Sequence, residues 1–495
     1  MRWFGLSVVF VVACGGGGDD GKDGGPGADA DTDTDTDSDT DTDTDTDTDT
    51  DTDTDTDSDT DTGITTDSGG GVPAITNLSW SLHATYGSFA TVSWDQAVAG
   101  DAHIEFSFDA GEWHSTPTLA GVSGTNEQLV VGIPYGMTAD WRVVVGTDVI
   151  DATSPIVTDP VPPGLLTPTI AVSDPSGWLP DGNYILSSTN MEREGWQGGT
   201  YWTWIMDRQG RYVWANKTPQ GHWTLYPSIA RSGDHILWDE ATAWVDFQSH
   251  GEDSTVHRVY LDEEIEEIAT PGLHHAFFEH LDGTLAWGSL WHNTTEALVE
   301  KAPGAKNATE IWNCGDDWPG VNSCESNCIF YDEDRDTYLY SFYTNNSMAE
   351  ISRSTGETLW WAGAHPGGYT FIPAEKRFSW QHGVSWTDAG TLLVSSEVST
   401  GPGWQDYTTK LYEYEVDEKA GTLTLVWEYD AQAHASTNGD AKRLSNGNTL
   451  HAVGSSGQIH EVDSNGTQVW VMTLPGNHLI GTATPIEDLY TLVAP

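Results

Sequence analysis

Two histidines occupy one position of a repeated pattern. His275 lies eight residues before Gly283, and His382 lies eight before Gly390. Each glycine belongs to a turn that opens a β-run, Asp282-Gly283-Thr284-Leu285 and Ala389-Gly390-Thr391-Leu392-Leu393. A neutral imidazole can attack an electrophilic centre and leave again, or pass a proton to a leaving group. One histidine on a strand is most often a satisfied core residue, but two in register are candidate catalytic groups. The matching segments of other repeats hold His222, and Glu325 with Asn327.

What would bring such distant residues together is the repeat itself. The turn and β-run recur around Gly182, Gly233, Gly283, Asp336, Gly390 and Gly447, in steps of 50 to 57 residues. About 50 residues make one four-stranded blade, and six copies predict a closed six-bladed β-propeller over residues 164–495. The innermost strands of a propeller face one channel, so equivalent positions of different blades converge there. A second repeat, a hairpin turn followed by a strand carrying Trp, gives Trp214, Trp360 and Trp470. These predict packing between blades rather than ligand contact.

Upstream, residues 73–163 alternate apolar and polar residues in short runs such as Ala90-Thr91-Val92-Ser93-Trp94 and Ile104-Glu105-Phe106-Ser107-Phe108. Period-two runs broken by turn residues predict a small β-sandwich. It resembles a fibronectin type III domain and shows no site chemistry. Residues 15–72 form a Gly- and Asp-Thr-rich linker in which 17 Asp residues run from Asp29 to Asp61. With no apolar side chain to bury, this is expected to be a disordered, self-repelling tether. The fold class is therefore all-β. The net charge of -57 makes nucleic acid a poor partner, because the summed field repels polyanions.

Residues 1–14 pair Arg2 with the short apolar stretch Leu6 to Val12, as an export signal does. They end in Val11-Val12-Ala13-Cys14-Gly15, which resembles the lipobox of bacterial lipoproteins. That resemblance implies lipidation at Cys14, contact with membrane only through this N-terminal lipid, and sorting to the outer membrane. In an oxidising exported compartment Cys314 and Cys324 are expected to form a disulfide, leaving Cys328 free. No Cys pairing has metal-ligand spacing, and no metal or cofactor is expected.

Four segments resemble the bacterial arylsulfotransferase family: Phe378-Ser379-Trp380-Gln381-His382, His274-His275, Ile351 to Trp360, and Leu444 to Leu450 with Ile459 to Asp463. The resemblance covers roughly Leu165 to Tyr490. It implies a six-bladed propeller that moves a sulfuryl group from an aryl sulfate to a phenolic acceptor. His382 matches the nucleophile and His275 a second catalytic histidine, with His274 beside it. The family's His-x-Asn-Ser-Val motif appears here as Glu325-Ser326-Asn327-Cys328-Ile329, and its Ser-x-Arg as Ser341-Phe342-Tyr343. Glu325, Asn327 and Tyr343 would then occupy substrate-binding positions from which two cationic or donor groups are missing. Arg377, with Lys376, would substitute for them or form solvated surface. An ionised Glu325 facing the channel would oppose an anionic substrate. The alternatives are a catalytically inactive propeller that binds a ligand or surface, and a quinone-dependent dehydrogenase. The latter lacks the cationic channel that a carboxylated quinone needs.

Overall fold

The structure, a computed structural model, describes residues 75–495 apart from 110, 195–198, 243–250, 291–294, 319, 322–323 and 402–405. Cys14, the signal segment and the Asp-Thr tether lie outside the described residues. The chain divides into two units, Met1–Gly69 and Gly70–Pro495. The regular structure of the second is β-strand apart from a few short helical turns.

Six sheets of four or five strands follow one another and form the blades of a propeller. Their first strands are Ser228–Ile229, Leu273–Glu279, Ser326–Asp332, Gly383–Trp386 and Asp440–Arg443, with His478–Ile486 closing the ring. From Leu273–Glu279 onward each packs against the next, and His478–Ile486 packs against Ser228–Ile229, so these strands line the axis. The turn glycines follow them. Gly233, Gly283, Gly390 and Gly447 have φ between 74° and 86°, a left-handed backbone that a side chain would strain. In the fourth copy Asp336 takes the same region with φ 50°. Gly182 has no strand before it in its own blade, because the innermost strand there comes from the other end of the chain. His478–Ile486 pairs with Tyr184–Glu194 in the first blade, and Thr169–Ser173 pairs with Gln468–Thr473 in the sixth.

This double closure is clamped. Arg208 of the first blade meets Glu461 of the sixth at 2.8 Å, both almost fully buried, while Glu461 also accepts hydrogen bonds from Leu179 N and Asn448 Nδ2. The repeated Trp residues are core, as expected. Trp214 and Trp470 are fully buried, and their indole N–H groups donate across blade boundaries to Leu261 O and Arg208 O. Each such large aromatic side chain removes on the order of 150–250 Å² from water when buried, so inter-blade contact is a main source of stability.

Ahead of the propeller stand two small sheets. One comprises Ile75–Leu82, Ala90–Gln96 and Gly124–Val130, and the other is built on Gly100–Ser107 and Thr138–Val145. Trp94 sits between them, fully buried with Val92, Ile104 and Val143. This module is fused to the first blade. Tyr86, Phe89 and Val131 share one apolar cluster with Val213 and Trp214. Ser88 Oγ donates to Val213 O at 2.7 Å, and Arg211 holds Asp109 through two bonds of 2.8 and 2.9 Å.

Candidate active site

The N-terminal ends of the inner strands meet at one mouth of the channel. There a cavity of about 250 Å³ is walled by Trp223, His275, Tyr343, Trp380, His382 and Glu397, with Ser436, Thr437 and Asn438 at its edge. His275 and His382, predicted from register alone, come together with ring centroids 5.7 Å apart. Tyr343 joins them, 6.0 Å from His275 and stacked 6.4 Å from His382.

The segment that carries His382 is tightly held. The Gln381 side chain donates to Phe342 O and Ser347 O of the neighbouring blade at 3.0 and 2.9 Å. Trp380, with φ 47°, is half exposed at the mouth, and Asn327 Nδ2 donates to Gln381 O. The His382 N–H donates to Ser395 O at 3.0 Å. Only 8% of His382 is exposed, and burial pushes its imidazole down to about 3, so the ring is neutral at ordinary pH.

Which ring nitrogen is free follows from Tyr226. Its hydroxyl donates to Asn327 O at 2.7 Å and lies 3.5 Å from His382 Nδ1. Burial raises the phenol far above its usual range, so it stays protonated with its one proton already given. Its oxygen therefore meets Nδ1 as an acceptor. This favours the Nδ1–H tautomer and leaves Nε2 with the lone pair. Tyr226 is itself fixed by Asp239, whose carboxylate accepts from Leu225 N and Tyr226 N.

Other predicted site residues fare differently. Glu325 does not line the cavity, and its carboxylate accepts the Tyr343 hydroxyl. The expectation of a bare carboxylate facing the substrate is corrected on that ground: the Tyr343 hydroxyl caps Glu325. Asn327 is fully buried behind the wall and acts on the Gln381 backbone rather than in the cavity. Arg377 is exposed, Lys376 pairs with Glu428, and neither lines the cavity. His274 lies on the strand Leu273–Glu279, but its side chain is outside what the structure describes. Cys314 and Cys324 are joined in a disulfide. Cys328 is buried toward the opposite mouth, and burial lifts its thiol to about 12, so it is not a nucleophile.

Sequence reasoning missed Trp223, Tyr226, Trp380 and Glu397. Glu397 is 7% exposed, accepts from Thr409 Oγ1 at 2.8 Å, and lies 3.4 Å from His434 Nδ1 through its other oxygen. Burial pushes its carboxyl up to about 7, against the hydrogen bonds from Thr409 and Ala435 N. The signal was present, since an acid inside the run Leu392 to Val398, otherwise of Leu, Val and Ser, stands out. No Lys or Arg is among the described residues lining the cavity.

Several solved structures are similar at low identity. A Bacteroides caccae protein of unknown function is 15% identical, covering 62% of this chain and 99% of its own, with a TM-score of 0.41. A catalytically inactive virginiamycin B lyase from Staphylococcus aureus is 12% identical over 64% of this chain and all of its own, with a TM-score of 0.37. The periplasmic gluconolactonase of Pseudomonas aeruginosa is 13% identical over 77% and 99%, with a TM-score of 0.38. No curated protein matches the chain. Residues 291–474, a stretch from the third blade to the sixth that includes His382, match the family model of the arylsulfotransferases.

Proposed function

We propose that this protein transfers a sulfuryl group from an aryl sulfate to a phenolic acceptor through a sulfohistidine at His382. The observation that carries the reading is a buried, neutral imidazole whose Nδ1 is occupied by Tyr226 and which opens beside His275 into an aromatic-walled cavity. Nε2 attacks sulfur, and the N–S bond forms as the S–O bond to the aryl oxygen breaks. In its imidazolium form His275 gives a proton to the leaving phenolate. His275 then accepts the proton of the acceptor phenol, whose oxygen attacks sulfur and breaks the N–S bond. Positive charge on the sulfohistidine ring strengthens its Nδ1–H bond to Tyr226 Oη, while Trp223, Trp380 and Tyr343 offer faces on which either aryl group can stack.

The lipobox-like Val11 to Gly15 supports export and lipid anchoring at the outer membrane, and a Cys314–Cys324 disulfide suits that compartment. The test is to supply a chromogenic aryl sulfate with a second phenol. Phenol release that depends on the acceptor, vanishes in His382→Ala and leaves a sulfuryl adduct on His382 in quenched protein is the expected result. Normal turnover in His382→Ala refutes the assignment. Absence of turnover with a broad set of aryl sulfates leaves the alternative of a ligand-binding propeller, which the lack of cations in the cavity wall would then explain.

A further inference from the structure

We propose that the second blade carries a binding site for a divalent transition-metal ion, of which zinc is the representative, ligated by His257, Glu264 and Glu267. The three residues offer ligand atoms that all lie within 4.8 Å of one another. His257 on Thr255–Val259 stands directly opposite Glu267 on Glu264–Ala269, and a register shift between Arg258 and Val259 sets the pairing of Glu264. Opposed residues of an antiparallel pair place their side chains side by side.

The His257 ring is positioned as a metal ligand rather than only as a partner for acids. It stacks on Trp238 with centroids 5.5 Å apart and planes 24° apart. Its Nε2 faces Glu240 Oε2 at 3.1 Å and Thr255 Oγ1 at 3.2 Å, and the other oxygen of Glu240 is held by His222 Nδ1. A carboxylate on one ring nitrogen fixes the tautomer that frees the other for an ion, the usual support behind metal-bound histidine. The other nitrogen, Nδ1, faces Glu264 Oε1 at 3.3 Å, the contact an ion would take over. Two ligand atoms at about 2.0–2.2 Å from a tetrahedral zinc stand ~3.3 Å apart, so an ion fits between them with little movement. Exposed Glu264 and Glu267 complete a one-nitrogen, two-oxygen set with room for water. An imidazole in the set selects zinc-like ions over calcium or magnesium, which take oxygen ligands. The cluster is separate from the channel cavity, though His222 precedes Trp223 of its wall.

The test is zinc titration of the full chain by calorimetry, with metal content measured after gel filtration, beside a parallel calcium titration. The calcium arm separates this site from the Asp-Thr run, whose carboxylates would take either ion weakly. One zinc equivalent that a tenfold excess of calcium does not displace is expected. Glu267→Gln, a surface change that leaves the strands intact, should weaken it at least tenfold. His257→Gln should remove it, and Glu240→Gln should weaken it about 10- to 100-fold. Failure to find that equivalent, unchanged affinity in Glu267→Gln, or equal binding of calcium would overturn the proposal.

Discussion

Replacing Glu397 by Gln should stabilise the protein at alkaline pH and leave it nearly unchanged in mild acid. Glu397 is a buried carboxyl in the cavity wall whose titration is pushed up to about 7 from an ordinary value of 4.5. Between those two values the folded protein holds a proton that the unfolded chain has released, so the unfolded state binds fewer protons and stability falls as pH rises. Below pH 4.5 both states are protonated and nothing is lost. Above pH 7 the full cost of a buried charge is paid, about 3 kcal/mol for a displacement of roughly two and a half units. Glutamine keeps the shape and the acceptor for Thr409 without the charge. Chemical denaturation of the Pro73–Pro495 fragment at pH 5 and pH 8 should therefore show Glu397→Gln gaining about 2 to 3 kcal/mol on wild type between the two conditions. Equal stability differences at both pH values would refute the argument and mean that Glu397 is ionised at pH 5 with a compensating partner.

Three further outcomes are expected. Tyr226→Phe removes the acceptor at His382 Nδ1 and leaves Asn327 O without its donor, so turnover should fall about tenfold and stability by about 1–3 kcal/mol; nitrogen NMR of labelled histidine should show the His382 tautomer becoming mixed. Tyr343→Phe strips Glu325 of its hydrogen bond and should weaken anionic ligands more than Glu325→Gln does. The double variant should recover much of that loss, measured by binding of an unreactive aryl sulfonate, because the two residues act as a pair. Arg208→Met strands the buried Glu461 carboxylate at the closure of the ring, which should cost about 3–5 kcal/mol in denaturant unfolding. Arg208→Met with Glu461→Met should restore most of it.

The fold was legible because its signals are local and repeated. Each blade announces itself by a turn whose left-handed residue must be Gly, Asn or Asp, followed by an apolar run, and six such signals at even spacing leave few architectures open. The pairing of His275 with His382 was legible for the same reason: register in a repeat is position in space. The closure was not, since Gly182 looks like the other turns although its inner strand, His478–Ile486, arrives from the far end of the chain. Nor was the engagement of Glu325. Glu325 and Tyr343 stand 18 residues apart in the sequence, and only geometry says that one caps the other. Tyr226 and Trp223 come from the loop ahead of the short strand Ser228–Ile229, where the repeat pattern is weakest. Which of its two alternatives Arg377 takes was not legible, because five residues along a loop fix no direction, and its neighbour's partner, Glu428, lies on the strand Thr422–Asp430.

The cavity wall sets a constraint on any sulfuryl chemistry done here. A sulfate monoester brings a negative charge into a channel of a strongly acidic protein, and the wall answers it with imidazole, phenol, hydroxyl and amide groups rather than guanidinium or ammonium. Neutral donors stabilise developing charge about half as strongly as charged ones, so less of the barrier can be removed by electrostatics. What remains is positioning: a nucleophile held by Gln381, Ser395 and Tyr226, aromatic faces to align the donor, and a proton carrier 5.7 Å away. Such a site depends on the substrate to carry its own charge away. Donors whose phenolate leaves easily need little help from the wall, and donors with poor leaving groups depend on the proton that His275 would give. The buried Glu397 sharpens this, because once ionised it adds a like charge beside the sulfate, while protonated it becomes one more neutral donor. The same carboxyl that costs stability in alkali is therefore the group that would turn the cavity against an anionic substrate as pH rises through about 7.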